Sequence, residues 1–132
     1  MTISYACLLI AVLLPYVWVV CAKAGIKIDG EPRGYNNHAP RAQQEQLQGW
    51  RRRAVWAHNN AFEALPGFIA AVLVAAHAGV AVGRINVAAL LFVLVRVLHG
   101  IFYLADQAML RSLSWLIGIG AVAYLFAQAL MH

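Results

Sequence analysis

The stretch Arg51–Phe68, RRRAVWAHNNAFEALPGF, opens an apolar segment that continues through IAAVLVAAHAGVAV. Together they read as a membrane-spanning helix with Asn60 and Glu63 inside it. An ionisable group in hydrocarbon costs roughly 3 kcal/mol on insertion scales. A chain that keeps one there has a polar site to serve, such as a bundle interior or a water-filled cavity. Arg53, Trp56, Asn60, Glu63 and Gly67 follow the i, i+3, i+4 spacing of one helix face. A second segment, LLFVLVRVLHGIFYLA, places Arg96, His99 and Tyr103 on one face in the same way. Opposite charges on two apolar helices predict a buried pocket between them. The competing reading is an Arg96–Glu63 pair that only locks the helices together; it accounts for the charges but not for Asn60, His99 and Tyr103.

The composition agrees with a bilayer setting. The 132 residues are 63% hydrophobic and 11% charged, against roughly 25% charged in a soluble domain. Four candidate spans, Ile3–Ala22, Val55–Val82, Ile85–Ala105 and Leu113–Met131, each come near the ~20 residues that a bilayer core requires. Short connections favour antiparallel neighbours. The expected fold is therefore an all-α membrane protein, a four-helix transmembrane bundle running up-down-up-down, with residues 1–132 as one domain. The long second span predicts that its first two turns project into the interface. The start MTISYAC lacks a basic region, so the first span reads as a helix of the mature protein rather than a cleavable signal. Pro15 is expected to bend it or to free a carbonyl.

The net charge of +5 does not point to nucleic acid, because its distribution is one-sided. Lys23, Lys27, Arg33, Arg41, Arg51, Arg52 and Arg53 all fall between the first and second spans. The positive-inside rule places that loop in the cytoplasm and both termini outside. The basic loop also suits anionic membrane lipid. Arg84 is the only basic residue of the outer loop. Cys7 and Cys21, on one helix, would stand ~21 Å apart along the axis, beyond the ~7 Å reach of a disulfide; both read as packing residues.

The loop carries Gly30, Pro32, Gly34, Asn36-Asn37 and Pro40, which predict turns as far as Pro40. A helical lead-in follows, with Gly49 as its interruption. No nucleotide-binding, Cys-x-x-Cys or H-E-x-x-H motif is present. His99 is the one histidine on a polar face of an apolar helix, and with no carboxylate beside it no metal site is expected. Trp18, Trp50, Trp56, Trp115, Tyr5 and Tyr124 read mostly as an aromatic belt. Gly118 to Gly120, with Ala121 and Ala123, suits close helix contact.

With these residues in place, the chain resembles the MAPEG family, the membrane-associated proteins of eicosanoid and glutathione metabolism. The family's glutathione enzymes show a pattern like E-R-x-x-R-A-H-x-N-x-x-E, then an apolar run with Pro. Here Arg52 to Glu63 reads R-R-A-V-W-A-H-N-N-A-F-E before Ala64, Leu65 and Pro66, so that Arg53, Ala57, His58, Asn60 and Glu63 match. A second pattern, R-x-x-H-x-x-x-Y followed by Arg-Ser, is matched by Arg96, His99, Tyr103, Arg111 and Ser112. Arg52 stands where the pattern has Glu, and Trp56 where it has a second Arg that helps hold the tripeptide.

The resemblance implies a homotrimer with glutathione as cofactor, bound between subunits near the cytoplasmic face. It is to bacterial-type members, which implies an inner-membrane location. Glu63 suits the ammonium of glutathione, Asn60 its peptide or a carboxylate, and Arg53 and Arg96 its carboxylates, with His58 and His99 beside them. Arg111 and Ser112 are placed to stabilise the thiolate, and Tyr103 to donate to the sulfur or to the cofactor's backbone. A lipophilic substrate would arrive from the bilayer. The expected activity is that of a glutathione-dependent transferase or peroxidase. The alternative is a non-catalytic scaffold of the same fold that binds lipid or a partner protein.

Overall fold

The computed structural model describes residues 2–24, 26 and 34–132. Four of its helices are long and apolar enough to cross a membrane, as an integral membrane protein requires. They are α1 (Thr2–Lys23), α3 (Gly49–His77), α4 (Val82–Leu104) and α5 (Ala108–Leu130). A short helix, α2 (Pro40–Gln46), precedes α3. The expected turn and lead-in are both present. Asn36 Oδ1 accepts from the backbone N–H of His38 and Ala39 at 2.9 and 3.3 Å, a side-chain turn that delivers Pro40 to the first helical position. Buried Gln43 pins the turn from inside, donating to Gly34 O and accepting from Asn36 N. Gly49, with φ of +58°, ends the lead-in and starts α3. Lys27, Gly30, Pro32 and Arg33 lie outside the described residues.

The helix bounds differ from the expected spans for identifiable reasons. The second helix begins at Gly49 and stops at His77, five residues before Val82. Gly79, with φ of +84°, closes its end: Val80 N donates to Ala75 O and Gly79 N to Ala76 O, which satisfies two terminal carbonyls. The end of α4 is built alike, with Asp106 at φ of +59° in the glycine's place and Gln107 N donating to Phe102 O. Pro15 lies within α1 without breaking it. His58 Nδ1 donates to Pro15 O at 2.7 Å, so the carbonyl it reaches is proline's own and not that of Ala11, which the ring deprives of its donor.

The helices alternate in direction. α3 and α4 form the central pair; α1 packs on both from one side and α5 on both from the other. Phe68 and Phe92 stack at the centre, rings 3.9 Å apart and 7° from parallel. Buried Ala71, Ala75, Ala88, Ala89 and Ala121 let the backbones approach around them. Outside, Leu9, Val20, Val87, Leu94 and Leu116 are exposed, as a lipid-facing surface requires. Cys7 is buried and Cys21 half-buried, both unpaired on α1.

Three consecutive arginines tie the ends together. Arg51 donates to Ala22 O and Ala24 O at the end of α1. Arg52 donates to Gln44 O and Glu45 O at the end of α2. Arg53 donates twice to Leu104 O at the end of α4 and stands 3.6 Å from Asp106. Successive helical residues point ~100° apart, so a run of three can reach three helices. Each cation satisfies carbonyls at a negative helix end.

Candidate functional site

Asn60 and Arg96 meet across the α3–α4 contact. Arg96 is 4% exposed, and its Nη2 donates to Asn60 Oδ1 at 2.6 Å and to Asn60 O at 2.9 Å. Asn60 Nδ2 in turn points at Glu63 Oε2 at 3.4 Å. No Arg96–Glu63 ion pair is present among the described residues; Asn60 stands between them. Asn60, Glu63 and Gly67 form one wall of a cleft of about 230 Å³. Arg96 and Phe92 form its floor, and Trp115 and Gly118 of α5 its far wall. Gly118 matters sterically: a Cβ there would sit 3.6 Å from Arg96 Cδ, so the bare backbone lets α5 close over the arginine stem. The pocket expected between two helices is thus a cleft among three, opening on the flank of the bundle. Glu63 is exposed at that opening.

A second group lies nearer the α3 start. His99, 3% exposed, donates from Nδ1 to Arg111 O at 3.0 Å. Ser114 donates from Oγ to the same carbonyl at 2.8 Å. A carbonyl only accepts, so His99 Nδ1 carries the proton and its buried Nε2 is the acceptor; Nε2 has no hydrogen-bond partner among the described residues. Tyr103 packs edge-on against His99 at 5.1 Å. The Arg111 guanidinium lies 4.6 Å over the Tyr103 ring. Arg96, His99 and Tyr103 share one face of α4, which joins this group to the cleft.

Three expected site residues point elsewhere. Arg53 is engaged with Leu104 O and Asp106 as described. His58 faces α1, bonded to Pro15 O and edge-on to Phe62 at 5.0 Å. Ser112 is exposed and donates to Ala108 O of its own helix at 3.0 Å. Trp56, expected on the polar face, is 45% exposed, with Arg52 5.8 Å over its ring.

Sequence reading missed Ser114 and Asp106, and it assigned Trp115 to an aromatic belt. The signal for Ser114 was available: Arg111, Ser114 and Gly118 stand at i, i+3 and i+7, the face that meets α4. Among the described residues no three His, Cys, Asp or Glu side chains gather into a metal-ligating group.

Neither the curated proteins nor the solved structures give a significant match to this sequence. The profile of the MAPEG family, however, matches residues 3–131 and so takes in all four spanning helices and both polar groups. A match of that extent, on a chain with this helix order, makes the protein a member of the MAPEG family.

Proposed function

We propose that the protein is a glutathione-dependent membrane transferase or peroxidase, acting as a homotrimer on a lipophilic electrophile. The observation that carries the reading is Glu63. Its carboxylate is exposed on the flank of a spanning helix, one turn from the buried Arg96–Asn60 contact. A carboxylate left in hydrocarbon is costly, so a second subunit and a cationic ligand group are needed to cover it. The single-chain cleft of about 230 Å³ is smaller than the ~300–1,000 Å³ usual for a ligand pocket, which also fits a site completed by a neighbour. Family membership is consistent with a glutathione-related or eicosanoid-type membrane function.

In this reading Glu63 holds the glutathione ammonium, and Arg96 with Asn60 holds a carboxylate and the peptide. Arg111, with permanent charge and its place over Tyr103, stabilises the thiolate. A free thiol of pKa ~8.5 is a poor nucleophile at neutral pH until a cation favours its ionised form. The thiol proton leaves to water. As a transferase, the sulfur then attacks an electrophilic carbon of a substrate delivered from the bilayer, and the leaving group departs with the bonding electron pair and takes up a proton from water. As a peroxidase, it attacks a hydroperoxide oxygen, the O–O bond breaks, the alkoxide leaves as the alcohol after protonation, and a second glutathione converts the sulfenic acid to the disulfide and water. The basic end faces the cytoplasm and both termini lie outside.

The scaffold reading keeps one observation in its favour: Trp56 stands where the pattern has Arg, and Arg52 is committed to the end of α2. Thiolate absorbance of the purified protein, titrated with glutathione in detergent, separates the two. Arg111→Ala is expected to lower the thiolate signal more than glutathione binding, and Glu63→Gln to do the reverse. Absence of a thiolate signal in the parent protein rejects the enzyme and leaves the scaffold.

A further inference from the structure

At the end of the bundle away from the three arginines, the start of α4 and the end of α5 enclose a groove of about 450 Å³. That volume falls within the range of ligand pockets, ~300–1,000 Å³. We propose that this groove binds one acyl chain of an anionic phospholipid, with Arg84 meeting the phosphate. The site is separate from the Arg96 cleft and does not depend on the function proposed above.

The walls are apolar: Val87 and Leu91 from α4, Ile117 and Tyr124 from α5. Two glycines keep it open. A Cβ at Gly83 or at Gly120 would meet nothing within 4 Å, so each glycine borders empty space rather than a packed neighbour. Such a trough within two spanning helices faces hydrocarbon and fits a flexible chain. Its polar end is Arg84, which lines the groove and donates from Nη1 to Gln128 Oε1 at 2.6 Å. Gln128 therefore holds the guanidinium at the mouth without neutralising it.

The charge is the argument for an anionic head group. The five acidic residues are Asp29, Glu31, Glu45, Glu63 and Asp106. None lies in the Ala64–Ala105 stretch that holds Arg84, and none follows Asp106. Among the described residues Arg84 is also the only arginine or lysine at this end of the bundle. A guanidinium presents a planar fork of donors that matches phosphate oxygens. A free anion would leave the apolar walls unused, and an uncharged apolar chain would leave the cation unmatched; a phospholipid with net negative charge satisfies both.

The test is photolabelling in phosphatidylcholine vesicles that contain a little phosphatidylglycerol with a diazirine in its acyl chain. Labelled peptides are mapped by mass spectrometry. Label is expected on Val87, Leu91 and Ile117 well above that on lipid-exposed Leu9 of α1. Unlabelled phosphatidylglycerol is expected to compete about fivefold better than phosphatidylcholine, whose choline cation offsets the same phosphate charge; this is the gain of one basic residue at an anionic lipid surface. Arg84→Gln should abolish that preference while groove labelling persists. Gly120→Leu puts a side chain into the trough from a position where a Cβ meets nothing within 4 Å, and should reduce groove labelling to the Leu9 level; Gly83→Leu is the second variant should the first fail to fold. Helical circular dichroism and elution volume verify the fold. Equal competition by the two lipids in the parent overturns the head-group assignment. Undiminished labelling in a folded Gly120→Leu variant overturns the site. No groove labelling in the parent, with a smaller assembly in Gly120→Leu, shows that a second copy of the chain covers the groove and also overturns it.

Discussion

Removing the Asn60 side chain tests whether Arg96 is held by Asn60 or by Glu63. Arg96 is 4% exposed and gives two hydrogen bonds to Asn60, one to Oδ1 at 2.6 Å and one to the backbone O at 2.9 Å. Stripping a buried charge of its only partner costs ~3–5 kcal/mol. Asn60→Ala does not do that, because the backbone acceptor stays in place. The loss is instead one charge-assisted hydrogen bond, ~1.5–3 kcal/mol in soluble proteins. Interhelical bonds in a bilayer average about 0.6 and reach about 1.7 kcal/mol, because the membrane-inserted unfolded state also finds partners. The membrane figure governs here, and the charge places this bond at its upper end. A cycle of Asn60→Ala, Arg96→Met and the double variant is expected to give a coupling of ~1.5 kcal/mol, about tenfold in the unfolding constant. Methionine keeps the apolar stem against Gly118 while removing the guanidinium. Reversible unfolding in mixed micelles measures it. The same cycle with Glu63→Gln should give a smaller coupling, since no ion pair joins Arg96 to Glu63. A coupling to Asn60 below ~0.3 kcal/mol, or a larger one to Glu63, would refute this account and restore the charge-pair reading.

Arg53→Ala should cost more than Asp106→Asn in the same unfolding assay. The Arg53–Asp106 contact is 3.6 Å long with the carboxylate side chain 70% exposed, so it is worth ~0–1 kcal/mol, whereas Arg53→Ala also leaves Leu104 O without either of its two donors; equal losses would put the value in the ion pair. Gly100→Ala should destabilise by ~1–3 kcal/mol, because its Cβ would run into the Trp18 ring and force α1 off α4; an unchanged melting temperature would show that the ring gives way freely. A C-terminal alkaline phosphatase fusion should be active in a bacterial host and a fluorescent-protein fusion dark; the opposite pair would reverse the proposed orientation.

The helices were legible because each span is a long apolar run, and Pro40 and Gly49 mark a turn and a helix start by local chemistry that tertiary context does not overrule; the stop at Gly79 was hidden because the apolar run continues through it to Val82. Asp106 was not legible as a stop. Its positive φ closes α4 as glycine closes α3, but Asp carries no such demand in sequence; the left-handed conformation is affordable because Tyr103 O and Phe102 O need its turn and Arg53 stands beside it. Of the polar residues, Asn60, Glu63, Arg96, His99 and Tyr103 announced themselves by contradicting their apolar helices. Ser114 did not: a serine is unremarkable on a spanning helix, and its bond to Arg111 O lies within α5; what marks it is His99 donating to the same carbonyl, a contact made only when α5 docks on α4.

The arginine run shows where such reading stops, and why. Three adjacent cations between two spans state an orientation by their charge alone. Their destinations depend on acceptors that no sequence motif encodes, namely the terminal carbonyls of α1, α2 and α4, which converge only after those helices have packed around the start of α3. The matched motif therefore mixes two kinds of residue. Arg53 and His58 satisfy backbone carbonyls of neighbouring helices, and by doing so they fix the height at which α3 presents Asn60 and Glu63. Asn60 is half-buried and engaged with Arg96; Glu63 alone of the set is left facing outward from the bundle flank. In the function proposed above, a spanning helix anchored at its start by cap after cap, yet carrying an uncovered carboxylate about three turns further in, meets a ligand's ammonium at that flank, and the glutathione titration of Glu63→Gln tests it.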